Sequence, residues 1–141
     1  MQATMQRLID VYRREREIYG RIRDEVAGHR QLIEAGRPYR EINEALAAKR
    51  DLLAEIERLE TGVRREQELW RRHRHALDGR DATALMRLLA EVTTLVEEIL
   101  AAERENEILL TSRRRLGPRP VVSRDRALAS YRTHSGAEVE R

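Results

Sequence analysis

Cysteine and phenylalanine are absent from this chain, lysine occurs once, and proline occurs three times. Without cysteine, disulfides, thiolate metal sites and cysteine nucleophiles are excluded. Aromatic residues make up only 4% of the 141 residues, which favours long helices with aliphatic seams over a compact globule with an aromatic core. No apolar run approaches the roughly 20 residues that cross a bilayer, and the N-terminus lacks the basic-then-apolar plan of a signal peptide. We therefore expect a cytoplasmic protein without membrane insertion.

Charged residues make up 38% of the chain and are unevenly distributed. Residues 111–141 contain eight Arg against three acidic residues, a net charge of +5, so residues 1–110 carry −2 of the total of +3. The run Gly117-Pro118-Arg119-Pro120 cannot continue a helix, and the residues after it are polar and basic. This pattern predicts a helical body over residues 1–116 and a basic, weakly structured C-terminal tail over residues 117–141.

Helical periodicity marks three segments, at about residues 3–35, 38–77 and 82–115. In the first, apolar side chains recur every seven residues, as in a coiled-coil seam, at Met5, Tyr12, Tyr19, Val26 and Ile33. Glu15 and His29 interrupt this seam. Because short breaks between long helices force antiparallel neighbours, the sequence predicts an all-α fold, an elongated antiparallel three-helix bundle or coiled coil.

Two short breaks separate the predicted helices. At the first, Gly36 is predicted to supply a left-handed cap and Pro38 to lie in the first turn of the next helix. At the second, Asp81 is predicted as the N-cap of a helix that starts at Ala82. Gly62 is expected to be tolerated inside a continuous second helix, at a cost of about 1 kcal/mol relative to Ala. At about 1.5 Å per residue that helix would span roughly 60 Å.

The third predicted helix is apolar over more than half of its circumference between Leu85 and Leu100, and one neighbouring helix requires far less. Two interpretations stay open. In the first, the other two helices of the chain fill both faces. In the second, part of the face accepts an amphipathic helix from a client protein or a second subunit. The apolar residues that we assign to this partner-binding surface are Met86, Leu89, Val96, Leu100 and Leu110.

Asn106 occupies an otherwise apolar seam position of the third helix. A buried Asn at such a position fixes the register of a coiled coil, and we predict that role for Asn106. The alternative is a polar contact to the backbone of a partner.

The sequence contains no constellation that supports catalysis, and we expect no enzyme activity, no cofactor and no metal. His73 and His75 are two residues apart, so on a helix they point roughly 200° apart and share no ligand face. Glutamate pairs at helical spacing lack the Glu-x-x-His pattern of a di-iron bundle. No Gly-rich phosphate loop, nucleophile elbow or zinc signature is present.

The Arg113-Arg114-Arg115 run and the basic tail raise the question of nucleic-acid binding. The chain has little aromatic interleaving, no DNA-binding motif and a mildly acidic body. Cations near a helix C-terminus are also stabilised by the helix dipole. We therefore expect no nucleic-acid partner, and a basic-tailed nucleic-acid accessory protein stays the weaker alternative.

Three stretches of the chain resemble the FlgN-type flagellar export chaperones, which are small cytoplasmic bundles of long helices. The first is the break Leu32-Ile33-Glu34-Ala35-Gly36 with the apolar pattern and Lys49 that follow it. The second is Leu77-Asp78-Gly79, which leads into a Leu-rich helix. The third is Asn106-Glu107-Ile108-Leu109-Leu110, similar to the Asn-x-x-Leu-Leu run in the last long helix of that family. The segment that begins at Tyr131 is similar to the family's Tyr- and Gly-containing tail.

The resemblance implies a chaperone that binds the C-terminal amphipathic helix of a hook–filament junction protein and delivers it to the export gate of the type III apparatus. The partner-binding residues expected on this basis and from the apolar face are Met86, Leu89, Val96, Leu100, Leu110, Arg113, Arg114, Arg115 and Tyr131. The expected partners are therefore a protein client, an export-gate protein and a second copy in a homodimer. The main alternative is a structural coiled-coil protein that only self-associates.

Overall fold

The computed structural model describes residues 1–116, with side chains described as far as Arg114. Four α-helices follow in order, α1 Gln2–Glu34, α2 Tyr39–Gly62, α3 Arg64–His73 and α4 Arg80–Leu116, with a 3₁₀ turn at Arg74–Ala76 before α4. The predicted all-α bundle is confirmed. No helix among these residues combines the length and the apolar character that a bilayer crossing demands. The predicted tail over residues 117–141 lies outside the described residues.

The second predicted helix is divided in two, so the expectation of one continuous helix is wrong. Val63, between α2 and α3, has φ −122° and ψ 17°, and its N–H donates to the carbonyl of Glu60 at 3.2 Å. Gly62 weakens helix propagation at this point, and the side chain of Val63 is buried in the core. Val63 and Trp70, seven residues apart on either side of the break, are both buried in the same core cluster as α1 residues.

The turn between α1 and α2 ends α1 with a Schellman motif, as Gly36 predicted. Gly36 adopts φ +70°, its N–H donates to the carbonyl of Ile33 at 3.1 Å, and the N–H of Arg37 donates to the carbonyl of Leu32 at 3.0 Å. These bonds satisfy carbonyls that the helix end would leave free. Pro38 is the N-cap of α2 instead of its first helical residue.

The start of α4 differs from the prediction by two residues. The helix begins at Arg80, directly after Gly79 with φ +96°, so Asp81 lies in the first turn and is not the N-cap. A carboxylate in the first turn still interacts favourably with the helix dipole. The side chain of Thr83 donates to the carbonyl of Gly79 at 2.9 Å.

Helices α1 and α4 lie parallel in a heptad register. Three ion pairs join them, Arg16 to Glu91 at 2.7 Å, Arg23 to Glu98 at 3.4 Å and Arg30 to Glu105, and in each the partners are 75 residues apart. A constant separation along both helices requires a parallel pair, and the spacing of seven residues is that of charged positions flanking a coiled-coil seam. Helix α2 runs back antiparallel to both, as predicted.

The core divides into three clusters along the bundle. The cluster nearest the start of α1 contains Met5, Leu8, Ile9, Tyr12, Val63, Trp70, Ala82, Leu85 and Leu88. The central cluster contains Ile18, Tyr19, Ile22, Val26, Leu52, Leu53, Ile56, Val92, Val96 and Ile99. A small cluster of Ile33, Ile42 and Leu110 lies beside the turn between α1 and α2. Every cluster includes residues from both α1 and α4, so this pair forms the spine of the bundle.

Gly36 and Gly28 provide a matched test of the turn, because a Cβ added at either would meet no atom within 4 Å. We expect Gly36→Ala to lower the free energy of unfolding by about 1–2 kcal/mol, since an L-residue is strained at positive φ. Gly28→Ala, inside α1, should raise it by about 0.5–1 kcal/mol. Urea unfolding of both variants measures the difference, and a neutral Gly36→Ala variant would refute the strain argument.

Candidate partner-binding cleft

The three lengthwise edges of the bundle are closed in different ways. The α1–α4 edge has the three Arg–Glu pairs described above. The edge between α1 and α2–α3 has Arg14 paired with Glu55 at 2.6 Å and Arg7 paired with Glu66 at 3.1 Å. Along the third edge, between α2–α3 and α4, Lys49 pairs with Glu103, and this pair is buried.

A cleft opens on the third edge where α3 faces α4. Its volume is about 150 Å³, and its lining comprises Leu8, Tyr12, Gln67, Trp70, Arg71, Arg74, Leu89 and Thr93. The floor is mainly apolar, from α1, Trp70 and Leu89, while the two guanidinium groups come from the end of α3 and the 3₁₀ turn. An apolar cavity with a few polar groups at its margin is the usual form of a binding site.

Helix α3 contributes Gln67, Trp70 and Arg71 to the lining of this cleft. Trp70 is buried in the core cluster nearest the start of α1, and Gln67 contacts α1. Gln67 donates to the hydroxyl of Tyr12 at 2.9 Å and contacts the carboxylate of Glu60. Trp70 is buried in the core and also forms part of the cleft wall.

The cleft lies beside the most basic segment of the described chain. Residues 64–74 contain five Arg and two Glu, a net charge of +3, in a body whose residues 1–110 carry −2. Glu66 is paired with Arg7, and Glu68 is paired with both Arg71 and Arg72. The two Glu residues of this segment do not balance the charge of its five Arg residues. The segment beside the cleft is therefore positively charged overall.

Four polar side chains form a buried layer between the central cluster and the turn between α1 and α2. Lys49 and Glu103 are 2% and 5% exposed, and Lys49 Nζ donates to Glu103 Oε1 at 2.5 Å. His29 Nε2 donates to the carbonyl of Ala45 at 3.1 Å, and Asn106 Nδ2 donates to the carbonyl of Val26 at 3.2 Å. This layer joins all three long helices, so it fixes their relative register.

Burial controls the protonation of two members of the layer. Burial lowers the pKa of Lys49, and the neighbouring Glu103 carboxylate opposes that shift. Burial also lowers the pKa of His29, against the effect of its hydrogen bond to Ala45. His29 is therefore neutral at neutral pH. Glu15 and His29, expected as lapses in the seam, both lie inside it.

The predicted partner-binding residues fall into different environments. Met86 is 52% exposed, and Leu89 and Leu100 are half-buried against the core clusters. Val96 and Leu110 are buried among residues of the same chain, so the expectation that they face a partner is corrected. The seam of α4 runs through these two residues because the buried positions after Val92 are Val96, Ile99, Glu103, Asn106 and Leu110.

The arginines at the end of α4 are also divided. The guanidinium of Arg113 lies 4.3 Å from the centre of the Tyr39 ring and donates to the carbonyl of Gly36 at 3.3 Å. Arg113 therefore holds the end of α4 to the turn between α1 and α2, and we remove it from the candidate surface. Arg114 is exposed. The side chain of Arg115 and all of Tyr131 lie outside the described residues.

The predicted role of Asn106 agrees with its placement. Its side chain bonds to the α1 backbone of the same chain, across 80 residues of sequence, and not to a separate partner. Periodicity did not predict that Gln67, Arg71, Arg74 and Thr93 line the cleft. The available signal was the cluster of Arg residues after Gly62, because Gly62 is a weak position in a segment that otherwise favours helix.

Comparison with models of protein families, with curated proteins and with solved structures gives no match for this chain. Within residues 1–116, no three His, Asp or Glu side chains are grouped so that they could hold a metal ion. The candidate site is therefore defined by its own geometry, as an apolar cleft with a basic rim on the open edge of the bundle.

The buried Lys49–Glu103 pair predicts a strongly non-additive mutant cycle. Lys49→Met or Glu103→Leu alone should lower the free energy of unfolding by about 3–5 kcal/mol, because each leaves the other charge buried without its partner. The double variant should lie within about 1–2 kcal/mol of wild type or exceed it. Denaturant unfolding of the four proteins measures the coupling, and additive effects would contradict a close pair.

His29 predicts a loss of stability in mild acid. Its pKa in the folded protein lies below the ordinary value of 6.5, so the unfolded chain binds a proton first as the pH falls. Stability should be fully present above about pH 6.5 and should decline below it. Lys49 and Glu25 are the charged groups that act on this ring. Between pH 8 and pH 5, the free energy of unfolding of His29→Gln should fall less steeply with decreasing pH than that of wild type. An unchanged dependence on pH would exclude His29 as the source of the acid sensitivity.

Proposed function

We propose that this protein is a helical chaperone or adaptor that binds an amphipathic helix of another protein along its α3–α4 edge. The observation that supports this proposal is the mainly apolar cleft on the third edge. The exposed Met86 and the half-buried Leu89 and Leu100 lie along α4 on the same side. Such a strip suits a helix-in-groove partner, whose apolar face it would cover.

The helical spacing on α4 supports the continuity of this surface. Met86, Thr93 and Leu100 are seven residues apart, so they lie in one row along the helix. Thr93 lines the cleft, which places the row on the side of α4 that faces α3. Glu103, three residues after Leu100, reaches Lys49 of α2 on the same side. The row therefore spans two heptads of α4 along the open edge.

The resemblance to the FlgN-type chaperones supports a specific form of this proposal. In that form the client is the C-terminal helix of a hook–filament junction protein, held in the cytoplasm before delivery to the type III export gate. Shielding of an assembly helix needs reversible apolar contact and no nucleotide. Self-association of this chain along the same edge is the competing outcome.

Met86 and Ile108 form a matched pair for testing the proposal, because both are exposed apolar residues of α4, at 52% and 60%. Met86 lies in the row along the open edge, whereas Ile108 is offset by one position from the continuation of that row at Glu107. We expect Met86→Glu to weaken binding of the client helix by roughly tenfold or more, while Ile108→Glu leaves it unchanged. Isothermal titration with the full chain measures both affinities.

Circular dichroism should show the same helicity for both variants, so that any loss of affinity is local. Sedimentation of the chain alone tests for self-association, which is the competing outcome. If wild type is a dimer and Met86→Glu is a monomer, the edge is a dimer interface. A client that binds both variants as tightly as wild type would remove the α3–α4 edge from consideration.

A further inference from the structure

We propose that the third edge selects its partner helix by charge. The helix would carry acidic residues beside its apolar seam in one heptad and basic residues beside the seam in the next. The acidic heptad would lie against Arg50 and Arg104, and the basic heptad against Glu57 and Glu97. This inference rests on the proposed function and names the class of client helix that the edge accepts.

The contact between Lys49 and Glu103 sets the register of α2 against α4 along the third edge. Because the two helices are antiparallel, each residue further along α2 from Lys49 corresponds to one residue back along α4 from Glu103. Ile42 and Leu110 each lie seven residues from this pair, at the end nearer the turn between α1 and α2, and they share the small core cluster. The two contacts therefore agree on one register.

In this register, like charges face each other across the third edge. Arg50 follows Lys49 and Arg104 follows Glu103, so the backbone positions of the two arginines differ in level by about 3 Å. Glu57 and Glu97 each lie seven residues from these arginines in the direction of α3, which makes a second level about 10 Å away. The two members of either level therefore cannot pair with each other.

All four side chains are exposed, and their positions place them beside the third edge. On α2, Glu55 pairs with Arg14 of α1, and Glu57 lies about 200° around the helix from Glu55, on the other side of the buried stripe. On α4, Glu97 lies one turn after Thr93, which lines the cleft. Among residues 1–114, whose side chains the structure describes, none of the four charges forms an ion pair.

A helix that lies between α2 and α4 would meet both members of each level. Its carboxylates would make charge-assisted hydrogen bonds with Arg50 and Arg104, and its cations would pair with the two glutamates of the next level. Its apolar seam would cover Leu100, which is half-buried and lies between Glu97 and Arg104 along α4. Charges that flank an apolar seam determine the choice of partner in coiled coils.

The order of the two charged heptads depends on the direction of the partner helix. A helix that runs with α4 passes the Glu level first, so its basic heptad precedes its acidic one, and a helix that runs with α2 has the reverse order. Both orders satisfy the edge. A helix with one sign of charge in both heptads satisfies one level and is repelled by the other. The informative comparison is therefore between a mixed helix and a helix of a single sign.

The probes are two synthetic three-heptad peptides with Leu at the seam positions and Ala and Gln elsewhere, each labelled with fluorescein. The mixed peptide has Glu on both flanks of the seam in one heptad and Lys on both flanks in the next. The Lys-only peptide has Lys at all of these positions. Fluorescence anisotropy of nanomolar peptide, titrated with the full chain at physiological ionic strength, measures both affinities while distant charges are screened.

Two double variants with the same change of charge separate the edge from the net charge of the chain. Arg50→Glu/Arg104→Glu makes both levels acidic, whereas Arg13→Glu/Arg21→Glu changes two exposed residues of α1. We expect wild type and the α1 variant to bind the mixed peptide roughly tenfold more tightly than the Lys-only peptide, and the edge variant to prefer the Lys-only peptide by roughly tenfold. Circular dichroism should show the same helicity for all three proteins.

Equal binding of the two peptides by wild type would overturn the charge pattern, and so would failure to bind either of them. In both cases the titration with the client helix decides separately on the proposed function. A reversed preference in the α1 variant would assign the effect to net charge and overturn the proposal. A second copy turned end for end would also place Glu against Arg, so a wild-type dimer that the edge variant dissociates would assign the edge to self-association and overturn it as well.

Discussion

The parallel pairing of α1 with α4 is the constraint on which the rest of the structure depends. Its register is fixed at three heptads by ion pairs with a constant sequence separation of 75 residues, and once more by the bond from Asn106 to Val26. With these two helices held side by side, α2 and α3 must return the chain along their length. Surface ion pairs join α2 and α3 to α1. The side of α2 and α3 that faces α4 is the open edge.

The buried polar layer complements this spine. A buried ion pair is weak evidence for stability, because desolvation of both charges offsets their attraction. Its effect here is on register, since Lys49 of α2 meets Glu103 of α4 at one position along the bundle. This contact holds α2 against α4 near the turn between α1 and α2. Helix α3 follows the break at Val63, and the cleft lies between α3 and α4, away from the Lys49–Glu103 pair.

The sequence predicted the helical class, the first turn and the first seam, because these follow from periodicity and from one glycine. It did not predict the break at Val63, since the local cost of Gly62 is small and the seven-residue spacing of Val63 and Trp70 suits a continuous helix equally well. The burial of Val96 and Glu103 in α4 was not predicted either. Val96 packs in the central cluster, and Glu103 is buried because it pairs with Lys49 of α2. Pairings between distant segments are not encoded in the pattern of one segment.

The cleft was predictable only in part for the same reason. Met86 and Leu89 follow from the apolar width of α4, but the basic rim depends on where α3 turns. Arg113 was predicted as a residue of the partner-binding surface. In the structure it packs on the ring of Tyr39 and donates to the carbonyl of Gly36 in the neighbouring turn.

The long separation between α1 and α4 also has a consequence for biosynthesis. Residues 1–34 cannot acquire their main packing partner until the chain has been translated to about residue 110. At a translation rate of roughly 5–20 residues per second, about 4–15 s pass between synthesis of α1 and synthesis of its partner in α4. During that time only α2 and α3 can cover the apolar stripe of α1. Folding of this bundle is therefore a late event on the ribosome. Removal of α4 by truncation from the C-terminal end would leave α1 without its main packing partner.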